Sequence, residues 1–317
     1  MSPGSRDETR RHEQMKLAAR KRNLLLRARM VQSIRAFFIE RGYLEIDTPQ
    51  LISAPAPEVH IEAISTDGRY LQTSPELCMK RLLASGFPKI FQISRCFRAG
   101  ERGDRHLPEF SLLEWYRTGI DYKALMDECE SLIRFVSQRL DMGGKIPYLT
   151  NKIDLKKPWQ RISVSAAFDQ YTAIPLERAL EEGCFDQVMV DEIEPNLGVV
   201  RPTFLYDYPA AMAALARLKP GNRALAERFE IYIAGLELAN GFSELNDPVE
   251  QRARFERELQ IRDAEGKEIY PMPERFLRSL EHMPDAAGIA LGVDRLAMLF
   301  SGALKIDEVV PFTPEEV

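Results

Sequence analysis

From Leu24 the apolar residues Leu24, Ala28, Val31, Ile34 and Phe38 recur at helical spacing, and Gly42 stands where a helix would stop. A long amphipathic helix from Leu24 to Arg41 is the expectation. Tyr43 to Pro49 then alternates and ends at a proline, which places a strand at a sheet edge or an interface. Ser74-Pro75-Glu76 reads as a helix start, with Gly86 as its end. Around residues 90–98 the period becomes two, with Phe91, Ile93 and Phe97 on one face and Gln92, Ser94, Cys96 and Arg98 on the other. A charged, glycine-containing loop over 99–109 joins this to a second strand, Phe110 to Arg117, whose Glu114 and Tyr116 share a face. The resulting hairpin offers one packed face and one that reads as a binding floor.

Further along, Asp121 opens a helix to Leu140, and residues 141–200 show weak periodicity, expected as a helical insertion. Thr203 to Tyr208 reads as a strand, and Phe229 to Glu244 as strands broken at Ala234-Gly235 and at Asn240-Gly241. Glu230 and Glu237 are seven apart, so only a turn at Gly235 puts both on one face. Asp247-Pro248 caps a charged helix to Ala264, and the apolar strand Ile289 to Val293 runs into a helix at Asp294-Arg295. Residues 1–22, with Arg10-Arg11 and Arg20-Lys21-Arg22, have too few apolar side chains to pack. They are expected as a charged arm, solvated or the frayed start of the first helix.

Composition narrows the function. In 317 residues, 48 acidic against 43 basic side chains give a formal charge of −5, which disfavours a surface built to neutralise nucleic-acid phosphates. No apolar run reaches the length of a membrane span, and the first residues lack the apolar stretch of a secretory signal, so the expected compartment is the cytoplasm. Cys78, Cys96, Cys129 and Cys184 are scattered without a close pair, which disfavours a zinc site or a disulfide framework.

Three blocks in register resemble the catalytic core of class II aminoacyl-tRNA synthetases, and lysyl-tRNA synthetases most closely. They are the long helix with Tyr43 to Pro49; Phe97-Arg98 through His106, Pro108-Glu109-Phe110 and Glu114; and Gly288-Ile-Ala-Leu-Gly-Val-Asp-Arg295. Glu-Leu-Ala-Asn-Gly-Phe-Ser-Glu at 237–244 lies between the last two. The resemblance implies an α+β fold, an antiparallel sheet flanked by helices, as one catalytic domain over 23–317. Only about 23 residues precede the first core helix, leaving no room for an anticodon-binding barrel, so anticodon-type tRNA binding is not expected. Glu114-Trp115-Tyr116-Arg117 and Ala290 make the stand-alone core similar to the elongation factor P–(R)-β-lysine ligases.

That resemblance implies an ATP-dependent ligase that activates (R)-β-lysine or lysine as an adenylate and passes it to a lysine of elongation factor P, working as a homodimer with Mg2+. Alternatives are a short lysyl-tRNA synthetase paralogue and a non-catalytic regulator. Arg98 is similar to the arginine bridging the substrate carboxylate and the α-phosphate, and Arg295 to the one under adenine and the γ-phosphate. Phe110 resembles the adenine-stacking residue and His106 the one beside the phosphates, with Glu101, Leu238 and Gly292 completing the ATP contacts. Glu230 and Glu237 are the implied magnesium ligands. Glu76 would receive the amino group near the carboxylate, after Ser74 and Pro75. Glu114, Tyr116 and Glu244 would hold the distal ammonium, with Asn240, Phe242 and Ala290 as walls. Two departures stand out: Arg98-Ala99-Gly100-Glu101 replaces Arg-x-Glu, and Leu107 replaces an asparagine. Adenine is then read either by Glu101 through a bulge or by backbone groups.

Overall fold

The alternation of Lys89–Phe97 and Glu109–Thr118 forms an adjacent antiparallel pair of a large sheet, with Phe91 opposite Trp115 on the packed face and Gln92 opposite Glu114 on the other. The computed structural model describes residues 3–148 and 151–317, and the side chains of 14–148 and 152–317. In chain order the first elements are α1 (Pro3–Ile39), β1 (Leu44–Glu45), β2 (Leu51–Ile52), β3 (Ser65–Thr66), β4 (Arg69–Leu71), α2 (Glu76–Ala84), β5 (Lys89–Phe97), β6 (Glu109–Thr118) and α3 (Tyr122–Arg139). Next come β7 (Lys145–Tyr148), β8 (Asn151–Asp154), β9 (Gln160–Ser163), α4 (Val164–Tyr171), α5 (Leu176–Glu181), α6 (Phe185–Val188) and β10 (Thr203–Pro209). The last are β11 (Leu225–Ile233), β12 (Leu236–Ser243), α7 (Pro248–Ala264), α8 (Glu274–Ser279), β13 (Ala286–Gly292) and α9 (Val293–Ser301).

Eight strands form the sheet in the order β1-β5-β6-β13-β12-β11-β10-β9. Its six inner strands run antiparallel, and the short edge strands β1 and β9 pair parallel to their neighbours. Helices cover both faces, which is the α+β architecture expected.

One face carries the main core. Met30, Ile34, Phe37 and Phe38 of α1, Leu125, Cys129 and Ile133 of α3, and Leu296, Leu299 and Phe300 of α9 pack on Phe91, Leu113, Trp115, Ile289 and Ile231. Aromatic rings tighten it: Phe38 stacks on Phe91 at 4.8 Å and lies 5.2 Å from Trp115. The opposite face carries a second cluster, in which Met79 and Leu83 of α2 and Phe276 and Leu277 of α8 meet Tyr116 and Phe242.

Several expectations change here. The charged N-terminal segment is the start of the helix, since α1 begins at Pro3, and Arg20 is tied to Glu316 at 2.6 Å near the other end of the chain. The buried stripe of α1 runs through Met30, Ile34 and Phe37 and leaves Ala28 exposed, because α3 and α9 approach a face rotated from the one the spacing picks out. Of the helical insertion only the second half is helical. Residues 145–163 supply a hairpin, β7–β8, and the edge strand β9. The following helices bury Phe168, Phe185 and Ile193 against Leu205, Tyr208 and Tyr232. The expected break at Asn240-Gly241 is also absent, as β12 runs through it. Gly241 is required there because a Cβ would stand 2.7 Å from the Phe229 ring and 2.9 Å from Ile289 Cβ.

The strand expected over Tyr43 to Pro49 is reduced to Leu44–Glu45, whereas the helix-start signals at Asp121 and Asp247 hold. Asp121 accepts from the backbone N–H groups of Lys123 and Ala124, and Asp247 from those of Val249 and Glu250. All four cysteines are free thiols. No helix of the described residues is long and apolar enough to cross a membrane.

Candidate active site

The uncovered part of the second face is a cleft of about 300 Å³ whose floor is made by sheet register. Glu114 of β6 pairs with Ala290 of β13, which pairs with Asn240 of β12, which pairs with Glu230 of β11. The neighbouring row is Tyr116, Gly288, Phe242 and Arg228. Cross-strand partners project to the same side, so the two rows present their side chains together. Gly288 has no alternative, since a Cβ there would overlap the Tyr116 ring and stand 2.5 Å from Glu244 Oε1.

The same geometry settles the parity of Glu230 and Glu237. A two-residue turn with φ of 55° at Ala234 and 69° at Gly235 pairs Tyr232 with Glu237, which puts Glu237 on the Glu230 side. A bulge then absorbs Leu238, so that Asn240 returns to that side as well.

One end of the cleft is acidic. Glu114 is fully buried; its Oε1 accepts from the Ser74 hydroxyl at 2.6 Å and its Oε2 from the Tyr116 hydroxyl at 2.7 Å. Ser74 also accepts from the Glu76 N–H at 3.0 Å, so the helix start and the acid share one hydroxyl. One turn beyond Glu76, the fully buried Lys80 places its Nζ between the Glu76 carboxylate and Glu244 Oε2, the latter at 2.5 Å. Glu244 Oε1 is buried with no hydrogen-bond partner among the described residues. Three carboxylates therefore face one ammonium. Burial, reinforced by Glu76, pushes Glu114 up to about 8. Burial raises Glu244 too, although Lys80 opposes it. Burial alone would depress Lys80, but Glu244 and Glu76 outweigh it and hold the lysine above its ordinary value.

The other end suits a nucleotide. The Phe110 ring lies 5.1 Å from Arg98 Cζ, and the Nε of Arg98 is buried without a partner among the described residues. Its nearest acid, Glu101, is 3.6 Å away across the turn at Gly100, where φ is 76°. Arg295 donates to the Glu237 carbonyl at 2.8 Å and to Glu237 Oε2 at 3.3 Å, and its Nη2 is 2.5 Å from His106 Nε2. Burial and then Arg295 lower the His106 pKa, which keeps the ring neutral and able to accept that bond. Leu107 is buried in the main core, where an asparagine amide would lack water.

Behind Arg295, Asp294 accepts from the Ser111 N–H at 2.7 Å and from Arg27 Nη2 at 2.8 Å. One carboxylate thus joins α1, β6 and the start of α9.

Glu237 lines the cleft with its side chain 39% exposed, and burial, with Glu230 next, raises its pKa against the pull of Arg295. Glu230 lies behind it: its oxygens accept from Tyr208, Tyr232 and Arg228, each at 2.6 Å. Glu194, from the insertion, reaches the same corner through Tyr232 at 3.2 Å. Among the described residues no group of three or more acidic, histidine or cysteine side chains forms a metal cage. Magnesium bound together with a nucleotide asks only for one or two carboxylates beside the phosphates, so Glu237 with Glu230 behind it fits that ion.

Most residues singled out in the sequence converge here. Pro75, Glu230 and Glu244 are not on the cleft wall: Pro75 starts α2, Glu230 is engaged from behind, and Glu244 lies beneath Lys80. Lys80 and Glu58 were invisible to motif reading. The spacing of Lys80 four residues after Glu76 on a helix is a signal for the first, whereas Glu58 sits in an aperiodic loop.

The recess makes its own pH dependence. Glu114 is protonated below about 8, and an ammonium seated against it would be held by the ionised form. Binding of a compound with such an ammonium should therefore release a proton at pH 7, and affinity should rise with pH until about 8 and then level. Calorimetry in two buffers of different ionisation enthalpy reads this directly; no proton release at pH 7 would contradict the arrangement.

A family model described as "tRNA synthetases class II (D, K and N)" matches residues 6–316. The chain is 39% identical to the elongation factor P–(R)-β-lysine ligase of Proteus mirabilis (strain HI4320), over 92% of this chain and 94% of the relative. The enzyme of the same name from Edwardsiella ictaluri (strain 93-146) is also 39% identical over the same shares. That of Vibrio cholerae serotype O1 (strain ATCC 39315 / El Tor Inaba N16961) is 37% identical, over 90% of this chain and 93% of the relative.

Proposed function

The chain belongs to the class II tRNA synthetase family of the D, K and N type, and on that premise we propose that it is an ATP-dependent ligase for a diamino acid. It activates (R)-β-lysine, or lysine, as an aminoacyl-adenylate with release of pyrophosphate. It then transfers the acyl group to a lysine side chain of elongation factor P, the protein in the names of its relatives. The observation that carries this reading is Arg98, whose buried, unpartnered Nε stands between an acidic recess and a nucleotide-shaped end.

The chemistry follows from that placement. A carboxylate oxygen attacks the α-phosphorus of ATP and pyrophosphate leaves, a reaction that needs two anions held in line and the growing charge stabilised. Arg98 bridges both anions with its planar fork. Adenine stacks on Phe110, and Arg295 and His106 meet the phosphates. Glu237, with Glu230 behind it, holds magnesium, which supplies charge neutralisation on the phosphates. Three acids against Lys80 leave two negative charges in the recess, matched by the two ammonium groups of a diamino acid. Glu76 takes the amino group nearer the carboxylate, and Glu114 with Tyr116 takes the distal one.

The enzyme works as a homodimer. Ile39 and Leu44 are large apolar residues left exposed at the end of α1 and the sheet edge at β1. A paired copy covers them and satisfies the open edge. Light scattering at micromolar concentration should give twice the chain mass; a strictly monomeric mass would remove this claim.

Activation is tested by pyrophosphate exchange with ATP and (R)-β-lysine, followed by transfer to elongation factor P. Arg98→Ala should slow exchange by about 100- to 1,000-fold while the protein stays folded. Normal exchange in that variant, or none in the parent with either lysine, would overturn the reading.

Donor choice rests on Ala290, which stands in the Glu114–Asn240 row where lysyl-tRNA synthetases have glycine. Its methyl crowds an α-amino group more than a β-amino group, a difference worth roughly 10- to 200-fold. (R)-β-lysine should be the better donor, and Ala290→Gly should narrow the gap by improving α-lysine. An unchanged ratio in that variant would discard the steric explanation.

A further inference from the structure

Beside the active-site cleft lies a second cavity of about 630 Å³, and the two share Glu58, Ser74 and Glu76. Its walls are largely apolar, including Ile52, Ala54, Leu77 and Met272. Its lining includes the exposed arginines Arg69, Arg81, Arg275 and Arg278. Of the three acids that line it among the described residues, Glu274 is paired with Arg252 at 2.6 Å, and Glu58 and Glu76 are shared with the cleft. A channel with greasy walls, a carboxylate floor and a basic rim is the complement of a lysine side chain projecting from an acidic protein face.

Glu58 marks the junction, and its backbone is fixed by an unusual device. The fully buried Arg262 of α7 donates to the Glu58 carbonyl at 2.8 Å, the Ile61 carbonyl at 3.2 Å and Glu62 Oε2 at 2.8 Å. Glu258, on the same helix, accepts from the Val59 N–H at 2.9 Å. The Ala99 N–H, next to Arg98, donates to the Glu62 carbonyl at 2.7 Å. The loop is thus clamped on both sides, while the Glu58 carboxylate takes part in no hydrogen bond or ion pair among the described residues. Activation of the donor, as derived above, leaves Glu58 unused.

The second half-reaction has an unmet need. An acceptor lysine arrives as an ammonium, which has no lone pair with which to attack the adenylate. We propose that the second cavity admits the acceptor lysine side chain and that Glu58 is the catalytic residue that takes its proton. This rests on the acyl-transfer reading of the preceding section. The acceptor ammonium gives one proton to Glu58, which passes it to solvent through the cavity. The freed lone pair attacks the adenylate carbonyl carbon, the C–N bond forms, and the C–O bond to AMP breaks with its electron pair leaving on AMP. The surplus proton on the new amide nitrogen leaves with the AMP phosphate.

The groups facing Glu58 are Glu76 of α2, Arg98 at the end of β5, Arg228 of β11 and Glu258 of α7. Burial, then Glu76, brings the carboxyl up to about 7 against the pull of Arg98, a value suited to proton exchange at neutral pH.

The test compares half-reactions in Glu58→Gln. The ratio of transfer to elongation factor P over pyrophosphate exchange should fall by about 100-fold or more at pH 7. Hydroxylamine, an amine already neutral at that pH, should be acylated by the variant within a few-fold of the parent. Transfer by the parent should rise with pH to about 7 and level; in the variant it should keep rising toward the ordinary lysine value of about 10.4. Arg81→Glu with Arg278→Glu should raise KM for elongation factor P about tenfold or more without a matching change in KM for the donor. A parent that acylates hydroxylamine but never elongation factor P overturns the acceptor of the preceding section and this role with it. A parent that acylates elongation factor P, with Glu58→Gln equally fast and keeping the same pH profile, overturns Glu58 alone. An unchanged KM for elongation factor P in the arginine reversals overturns the entry route.

Discussion

Lys80 is the interaction on which the amino-acid end of the site depends. Burying Glu76, Glu114 and Glu244 together without a counter-charge would be prohibitively unfavourable, and removing one partner of such a buried pair typically costs about 3–5 kcal/mol. A lysine one helical turn beyond Glu76 neutralises part of the cluster and leaves the rest unbalanced. Burial raises Glu114 and Glu244, so the cluster lowers its charge by holding protons, and the proposed diammonium substrate is the ligand that would take their place.

The two ends of the cleft are supported by different cores. Arg295 and Phe110 are positioned through Asp294, which binds Ser111 of β6 and Arg27 of α1, so the nucleotide end is braced by the main core. Glu76 and Lys80 ride on α2, which packs with α8 over Tyr116 and Phe242. Only the sheet is common to both, and its rows set the spacing between the end that holds Arg98 and Arg295 and the end that holds Glu76 and Glu114. That is why Gly288 and Gly241 matter: each lies where strands, rings and carboxylate approach too closely for a Cβ.

A fully buried arginine, Arg262, serves structure beside the site. Arg262 is among the largest buried side chains in the protein, yet it touches no part of the nucleotide or ammonium end directly. Its guanidinium instead satisfies the backbone carbonyls of Glu58, Ile61 and Glu268 together with Glu62, turning a proline-containing loop into a fixed wall between two cavities. A loop held by one planar fork presents the Glu58 side chain with little freedom, and pre-organisation of this kind is what general-base chemistry requires.

The chain itself determined the elements whose signals are local. Asp121 and Asp247 announce their helices because a cap acts within three residues. The β5–β6 hairpin is legible because a period of two needs only neighbours. Arg98, Arg295, Phe110 and Glu237 stand out as motif positions, and the fold brings all four to one cleft. Tertiary structure alone decided what depends on distant partners. Gly241 reads as a break yet lies inside β12, since the reason for it is the ring of Phe229 on the next strand. The charged start of α1 reads as an arm or the frayed start of a helix and is helical from Pro3, and the partner of Arg20 lies at the far end of the sequence. Residues 145–163 read as part of a helical insertion because short strands of four residues carry too little alternation to be seen. Glu58 and Arg262 show no special pattern along the chain, and Lys80 shows only its spacing of four from Glu76. Their meaning comes from burial beside acids and carbonyls, and burial is a property of the fold.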